Sequence, residues 1–262
     1  MISIKCADCL DYLKHLKDDH FDAIITDPPY NVSNKTKITR NGGKYGIAKD
    51  INLDFGAWDH NVVMYADFIG EFARILKPNG VLAMFYNKLW IGEIARFLED
   101  SYGFQTRHVG AWVKSNPAPQ ARKVKWQNGS EFFLVSTKNK GSGHHFNYKL
   151  GQSKDWMSHS VSYKHHHPTQ KPLPIMEWIV NYWTFEGDLI LDPFMGSGTT
   201  GRAAARLKRN FLGFEKDPAI YETARELLEE EARLSDFTIF FQADSSETNI
   251  LQKTDADENQ II

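Results

Sequence analysis

The stretch Asp188–Leu207, DLILDPFMGSGTTGRAAARL, decides the fold. Its apolar run Leu189–Leu191 has no polar alternation, which fits a short strand buried on both faces and therefore a parallel sheet. The run ends in Asp192, a glycine turn follows, and an Ala-rich helical pattern begins at once. A strand that runs through such a turn into a helix presents unpaired N–H groups and partial positive charge to a ligand, and glycine lets that ligand approach the backbone. Gly196, Gly198 and Gly201 satisfy G-x-G-x-x-G, and Glu215 follows about 20 residues later at the end of the next apolar run, where an acid can bind ribose hydroxyls. Two ligands meet this description: a dinucleotide such as NAD, and S-adenosylmethionine. A phosphate-cradling P-loop fits less well, because no Gly-Lys-Ser/Thr follows.

Working outward, apolar runs alternate with helical patterns along the chain, which predicts an α/β domain with a mainly parallel sheet. The candidate strands are SIKCA, DAIIT, GVLAMFY, RHVGAWV, EFFLVST, DLILD and FLGFE. Helical patterns cover Cys9–Leu16, Val62–Leu76, Leu89–Glu99, Leu173–Tyr182, Thr199–Leu207 and Pro218–Leu234. Three stretches stand outside the alternation: Asn31–His60, Ser115–Gly129 and Lys138–His167. Their basic and aromatic content suits a nucleic-acid face. The expected organisation is one domain over 1–240, a recognition insertion at about 115–166, and a polar tail at 241–262.

A second stretch, FDAIITDPPYN at 21–31, is a buried strand stopped by Asp27, Pro28, Pro29 and Tyr30. Prolines cannot extend a ladder and fix φ, so a carboxylate and an aromatic ring are held in a stiff turn at the strand's end. Hydride transfer gives such a turn no role. Few residues remain after Glu215, so a dinucleotide fold would need its second half earlier in the chain.

The 262 residues are 42% apolar or aromatic, enough for a core without staples. Cys6 and Cys9 are the only cysteines, too few for a disulfide framework. The start MISIKCADCL lacks a signal-peptide pattern and no stretch approaches a membrane span. The expectation is a cytoplasmic protein without a membrane partner. Neither Cys6-x-x-Cys9 nor His165–His167 has the further ligands a metal site needs, so no metal is expected. The net charge of −2 conceals a segregation. Between Gln105 and Pro172 there are 11 Lys and Arg against Glu131 and Asp155, while acids dominate after Lys216. A polyanion can dock on the middle of the chain.

With DPPY at 27–30, HPTQKP at 167–172 and DPFMGSGTT at 192–200, the sequence resembles the amino-directed DNA methyltransferases, over about Ile2–Leu228. The order, DPPY first and the glycine motif late, is that of their β class. WVKSNPAPQ at 112–120 is similar to the cell-cycle-regulated adenine methyltransferase group, whose additional C-terminal domain has no counterpart here. The resemblance implies a doubly wound, mostly parallel seven-stranded Rossmann-like sheet, circularly permuted, with inserted target-recognition loops. It also implies S-adenosylmethionine as methyl donor and double-stranded DNA as acceptor.

For the cofactor, the resemblance implies Asp192, Phe194, Gly196, Ser197, Gly198 and Thr199 around the methionine end and Glu215 on the ribose. Asp8 would hold the adenine, with Cys9 and Leu10 lining that pocket. His167, Thr169, Gln170 and Lys171 would close the methionine side. Asp27, Pro28, Pro29 and Tyr30 would be catalytic, with Asp27 also touching the cofactor. Lys114, Arg122, Lys123, Lys125 and Trp126 are candidates for DNA contact. Asp at the first position of DPPY favours adenine N6 over cytosine N4, because cytosine-directed relatives more often carry Ser there. A homodimer and a cognate restriction endonuclease are further expectations of the resemblance. An NAD-dependent oxidoreductase, a catalytically silent DNA-binding module, and RNA or protein as methyl acceptor are the alternatives.

Overall fold

The computed structural model describes residues 1–29, 37–38, 51–52, 65–119, 124–139, 146–161, 170–234 and 239–242. Apolar runs become strands and amphipathic runs become helices in alternation. The strands are β1 (Ile2–Cys6), β2 (Phe21–Thr26), β3 (Lys37–Ile38), β4 (Ile51–Asn52), β5 (Leu76–Tyr86), β6 (Phe104–Lys114), β7 (Ser130–Lys138), β8 (Trp156–His159), β9 (Leu189–Asp192), β10 (Asn210–Glu215) and β11 (Ile239–Gln242). The helices are α1 (Cys9–Leu13), α2 (Ile69–Ile75), α3 (Ile91–Tyr102), α4 (Leu173–Trp183), α5 (Thr199–Arg206) and α6 (Pro218–Leu234).

Nine strands form one sheet in the order β11-β1-β10-β9-β2-β5-β7-β6-β8, and β3 and β4 pair separately. Within the large sheet β7 runs antiparallel to both of its neighbours, and every other pairing is parallel. The central neighbours β9 and β2 come from opposite ends of the chain, Ala23 facing Ile190 and Ile24 facing Leu191. This is the permuted doubly wound sheet. Among the described residues the sheet has nine strands, the seven expected and two more. All seven candidates form, and two four-residue strands, WMSH and IFFQ, extend the two edges. β11 also places Phe241 and Gln242, the first two residues of the segment expected as tail, in a strand.

Side-chain alternation divides the core. Ala23, Ile25, Val81, Ala83 and Phe85 face a cluster completed by α4, α5 and α6, while Ile24, Leu82, Met84 and Tyr86 face one completed by α1, α2 and α3. Strands that are apolar on both faces thus fix a three-layer sandwich. The helical pattern from Val62 gives way to a 3-10 turn at Tyr65–Asp67 and a shorter α2, because β5 takes over at Leu76. Among the described residues no helix is long and apolar enough to cross a membrane.

Candidate active site

The parallel strands β1, β10, β9, β2 and β5 all end at one edge, bringing Cys6, Glu215, Asp192, Thr26 and Tyr86 to the same rim. From β9 the chain crosses to β10, and from β2 it continues to β5, so the two connections diverge and leave a crevice between them. Ligands of open α/β sheets bind in that crevice.

On the β9 side, Asp192 is buried and holds the turn together. Its Oδ1 accepts from Thr26 Oγ1 at 2.7 Å and from the Phe194 N–H at 3.2 Å, and its Oδ2 accepts from Thr200 Oγ1 at 2.6 Å. Burial pushes the carboxyl up to about 7, against the opposing pull of these three donors. Asp192 was expected to cradle the cofactor directly. At 2% exposure and with both oxygens engaged, it fixes the shape of the turn.

The three glycines of this turn divide their tasks. Gly196 and Gly198 have φ of +52° and +78°, a region open to glycine and strained for other residues. A Cβ on Gly196 would meet open space, so this is the glycine at which a ligand can approach. A Cβ on Gly201 would lie 2.8 Å from the Phe211 ring, so Gly201 serves the packing of α5 on the sheet. Ser197 is buried beside them. Phe194 stacks edge-on against Phe68 at 5.3 Å between centroids. Glu215 Oε2 accepts from the Gly196 N–H at 3.1 Å and Oε1 from the Asp217 N–H at 2.8 Å, which ties the carboxylate to the turn. Burial raises Glu215 above the usual carboxylate range.

Beside Glu215, Cys6 pairs with it in register and Asp8 follows at the rim. Asp8 caps α1, its Oδ1 accepting from the Leu10 N–H at 3.1 Å. Leu10 is exposed at the same place. Cys9, expected to line the pocket, is buried in the α1–α2–α3 cluster, and burial raises its thiol far above the ordinary value. Helix geometry turns residue 9 inward and residue 10 outward. Among the described residues no group of three His, Cys, Asp or Glu is arranged to hold a metal ion.

On the β2 side, Asp27 follows the strand, with Pro28 buried and Pro29 half-buried. Lys171 Nζ donates to Asp27 Oδ2 and also contacts Glu131 Oε2 at 3.1 Å, while lying 4.9 Å from the Phe85 ring centroid. Glu131 Oε1 in turn pairs with Lys114 Nζ at 2.6 Å. Asp27 Oδ1 is buried and has no donor among the described residues. Loss of water raises the Asp27 carboxyl, with Lys171 opposing and Glu131 adding to the shift. Burial also acts to raise Glu131, but Lys171 and Lys114 together outweigh it and hold that carboxyl below its ordinary value. Gln170 Nε2 donates to Thr199 Oγ1 at 3.1 Å, and its Oε1 is buried without a donor among the described residues.

Two expectations change here. Lys171, expected on the methionine side, lies on Asp27 because Glu131 and Phe85 draw its ammonium to the β2 side. Lys114, expected on the DNA face, is only 15% exposed and is neutralised by Glu131. Lys125 and Trp126 are exposed, Trp126 at 96%. Tyr30, Arg122, Lys123, His167 and Thr169 lie outside the described residues. Glu131 was not foreseen as a site residue, although it is one of two acids in a strongly basic segment.

Comparison with known proteins accounts for this geometry. A family model described as DNA methylase, for N6 and N4 methyltransferases, matches residues 21–226. Type II methyltransferase M2.DpnII of Streptococcus pneumoniae is 35% identical over 246 residues, covering 86% of this chain and 88% of its own. Type II methyltransferase M2.MboI of Moraxella bovis is 32% identical over 238 residues, with 83% and 84% covered. The crystal structure of the M1.HpyAVI–SAM complex superposes with a TM-score of 0.66 at 34% identity, covering 87% of this chain and 100% of that one. The cytosine-N4-specific PvuII DNA methyltransferase, at 18% identity and a TM-score of 0.65, shares the fold.

The chain belongs to the DNA methylase family. It is an S-adenosylmethionine-dependent DNA methyltransferase. The residues present fit that cofactor: a carboxylate at the end of β10 for ribose hydroxyls, open space at Gly196, and a buried Gln170 Oε1, without a donor among the described residues, able to accept from an ammonium.

Proposed function

We propose that this enzyme methylates the exocyclic N6 amine of an adenine flipped out of double-stranded DNA. The observation that carries the reading is Asp27 Oδ1, a buried acceptor without a donor among the described residues, at the rim of the β2–β9 crevice. Leaving such an atom unpaired costs about 1–3 kcal/mol, or more when it is charged, and an incoming N–H would recover that cost.

An exocyclic amine is a poor nucleophile because its lone pair is delocalised into the ring. Two acceptors on its two N–H groups localise the lone pair and aim it, which is catalysis by orientation and electrostatics. Asp27 Oδ1 supplies one acceptor and the Pro28 carbonyl the other, with Pro29 restricting the residue before it to an extended conformation. When bound, S-adenosylmethionine supplies an electrophilic methyl group. The amine nitrogen held by Asp27 and the Pro28 carbonyl would take that methyl group, and its surplus proton would pass to water. A stacked base cannot reach this turn, so the nucleotide is extruded at a few kcal/mol. Tyr30 recovers part of that by stacking, worth about 1–3 kcal/mol per base.

Glu215 takes the ribose hydroxyls, Asp8 the adenine amino group through its second oxygen, and Phe194 packs beside the cofactor. Gly196, Ser197, Gly198, Thr199, Gln170, His167 and Thr169 enclose the methionine end. Lys125, Trp126, Arg122 and Lys123 contact DNA. The Type II relatives point to a restriction-modification system, with a cognate endonuclease as partner, a homodimer as assembly and the cytoplasm as location. Expression in cells lacking DNA methylation, followed by single-molecule sequencing, tests the reading. N6-methyladenine at one short motif is expected; N4-methylcytosine, or no modified base, would contradict it.

A further inference from the structure

Four charged side chains from four separate segments form one chain of contacts: Lys114 on β6, Glu131 on β7, Lys171 before α4, and Asp27 after β2. The pairing of Trp112 with Glu131 in the β6–β7 ladder, and of Phe85 with Phe133 in the β5–β7 ladder, sets Glu131 at the edge where Asp27 stands. Lys171 is 7% exposed and Glu131 is 19% exposed, so water does little to screen them. Charge pairs this enclosed interact far more strongly than surface pairs.

One ammonium is therefore shared between two carboxylates. Lys171 engages Oδ2 of Asp27, and Oδ1 has no donor among the described residues. Glu131 holds the same ammonium from the other side, and its second oxygen is occupied by Lys114. Resting on the reading of Asp27 as the acceptor of the target amine, we propose that Glu131 is a positioning residue for methyl transfer. By sharing Lys171 it keeps the ammonium from closing over both oxygens of Asp27, so that one oxygen stays available to the amine. Without Glu131, Lys171 loses the carboxylate that draws it away from Asp27 and competes more directly with the substrate.

The groups that face Asp27 are Lys171, Glu131 and Lys114, with Asp192 on the neighbouring strand β9 behind Thr26. The negative charge of Glu131 raises the Asp27 carboxyl and the positive charge of Lys114 lowers it. Removing Glu131 should therefore move the acid limb of the rate profile to lower pH, and removing Lys114 should move it higher. Asp192 is untouched by either change.

The test is Glu131→Gln in the full chain, assayed for methyl transfer to DNA, with S-adenosylmethionine affinity and thermal melting measured alongside. The expected result is a fall in kcat of roughly 10- to 100-fold, a cofactor Kd within about twofold of wild type, and an acid limb displaced downward. Glu131→Asp should recover part of the rate. An unchanged kcat with an unmoved limb would overturn the proposal, as would a cofactor Kd that weakens in step with kcat. If Glu131→Gln does not fold, Lys114→Met replaces it. An upward shift of the limb supports the proposal and an unmoved limb overturns it. A wild-type protein that methylates no DNA would instead sink the functional reading itself.

Discussion

Thr26 Oγ1 donates to Asp192 Oδ1 at 2.7 Å, joining two residues 166 positions apart at the centre of the sheet. The bond links the strand that delivers Asp27 to the strand that delivers the glycine turn. The methyl acceptor's side of the crevice and the methyl donor's side are thus held together by a buried carboxylate rather than by chain continuity. Removing the hydroxyl with Thr26→Val should cost about 1–3 kcal/mol, since one of three donors to a buried acid is lost. Urea denaturation at neutral pH measures it.

The same carboxylate makes stability depend on pH. The Asp192 carboxyl is raised from 3.8 to about 7, so the folded state holds a proton that the unfolded chain has released over that interval. Its contribution is full below 3.8, declines as pH rises, and is gone above about 7. Asp192→Asn lacks this term. The unfolding free energy of wild type relative to Asp192→Asn should therefore fall between acidic and neutral pH and then level off.

A packing prediction concerns Gly110 on β6. A Cβ there would lie 2.2 Å from the Phe133 ring, and that ring is already fixed against Phe85 and Trp178. Gly110→Ala should destabilise by about 1–3 kcal/mol through overpacking. A thermal melt reads the change, and Gly92→Ala, where a Cβ meets nothing within 4 Å, is the control.

Glu215 can be separated from the DNA-binding face. Glu215→Ala should weaken S-adenosylmethionine binding by roughly 10- to 100-fold, the loss of charge-assisted hydrogen bonds to two hydroxyls. Calorimetry measures the cofactor, and DNA affinity without cofactor should be unaffected.

DNA affinity should fall steeply with salt if the exposed loop residues meet phosphates. Lys125→Ala should reduce the slope of log K against log salt by about 1. Lys114→Ala should leave the slope unchanged, because its ammonium is already committed to Glu131.

Much of the fold could be read from pattern. Runs such as DAIIT and DLILD are apolar on both faces, and each of the seven long enough to carry that signal became a strand of the sheet. WMSH carries no apolar run to signal a strand, and IFFQ was passed over because it adjoins the polar tail; both add to sheet edges through backbone pairing that many sequences can make. At the site, motifs located Asp27, Glu215 and the glycines, but long-range pairing decides what meets what. The placement of β7 between β5 and β6 is what brings Glu131 to Lys171, and no local spacing encodes it. Cys9 and Lys114 went astray for the same reason: the direction in which a side chain leaves its element depends on neighbours far away in sequence.

In the proposed mechanism Asp27 presents its Oδ1 to the adenine amine. Methyl transfer from labelled S-adenosylmethionine to DNA by wild type and by Asp27→Ala, with cofactor binding measured on the same samples, tests it most directly. Label on adenine N6 is expected for wild type, and loss of transfer by about 100-fold or more in the variant with cofactor still bound. Transfer by Asp27→Ala at the wild-type rate would contradict it.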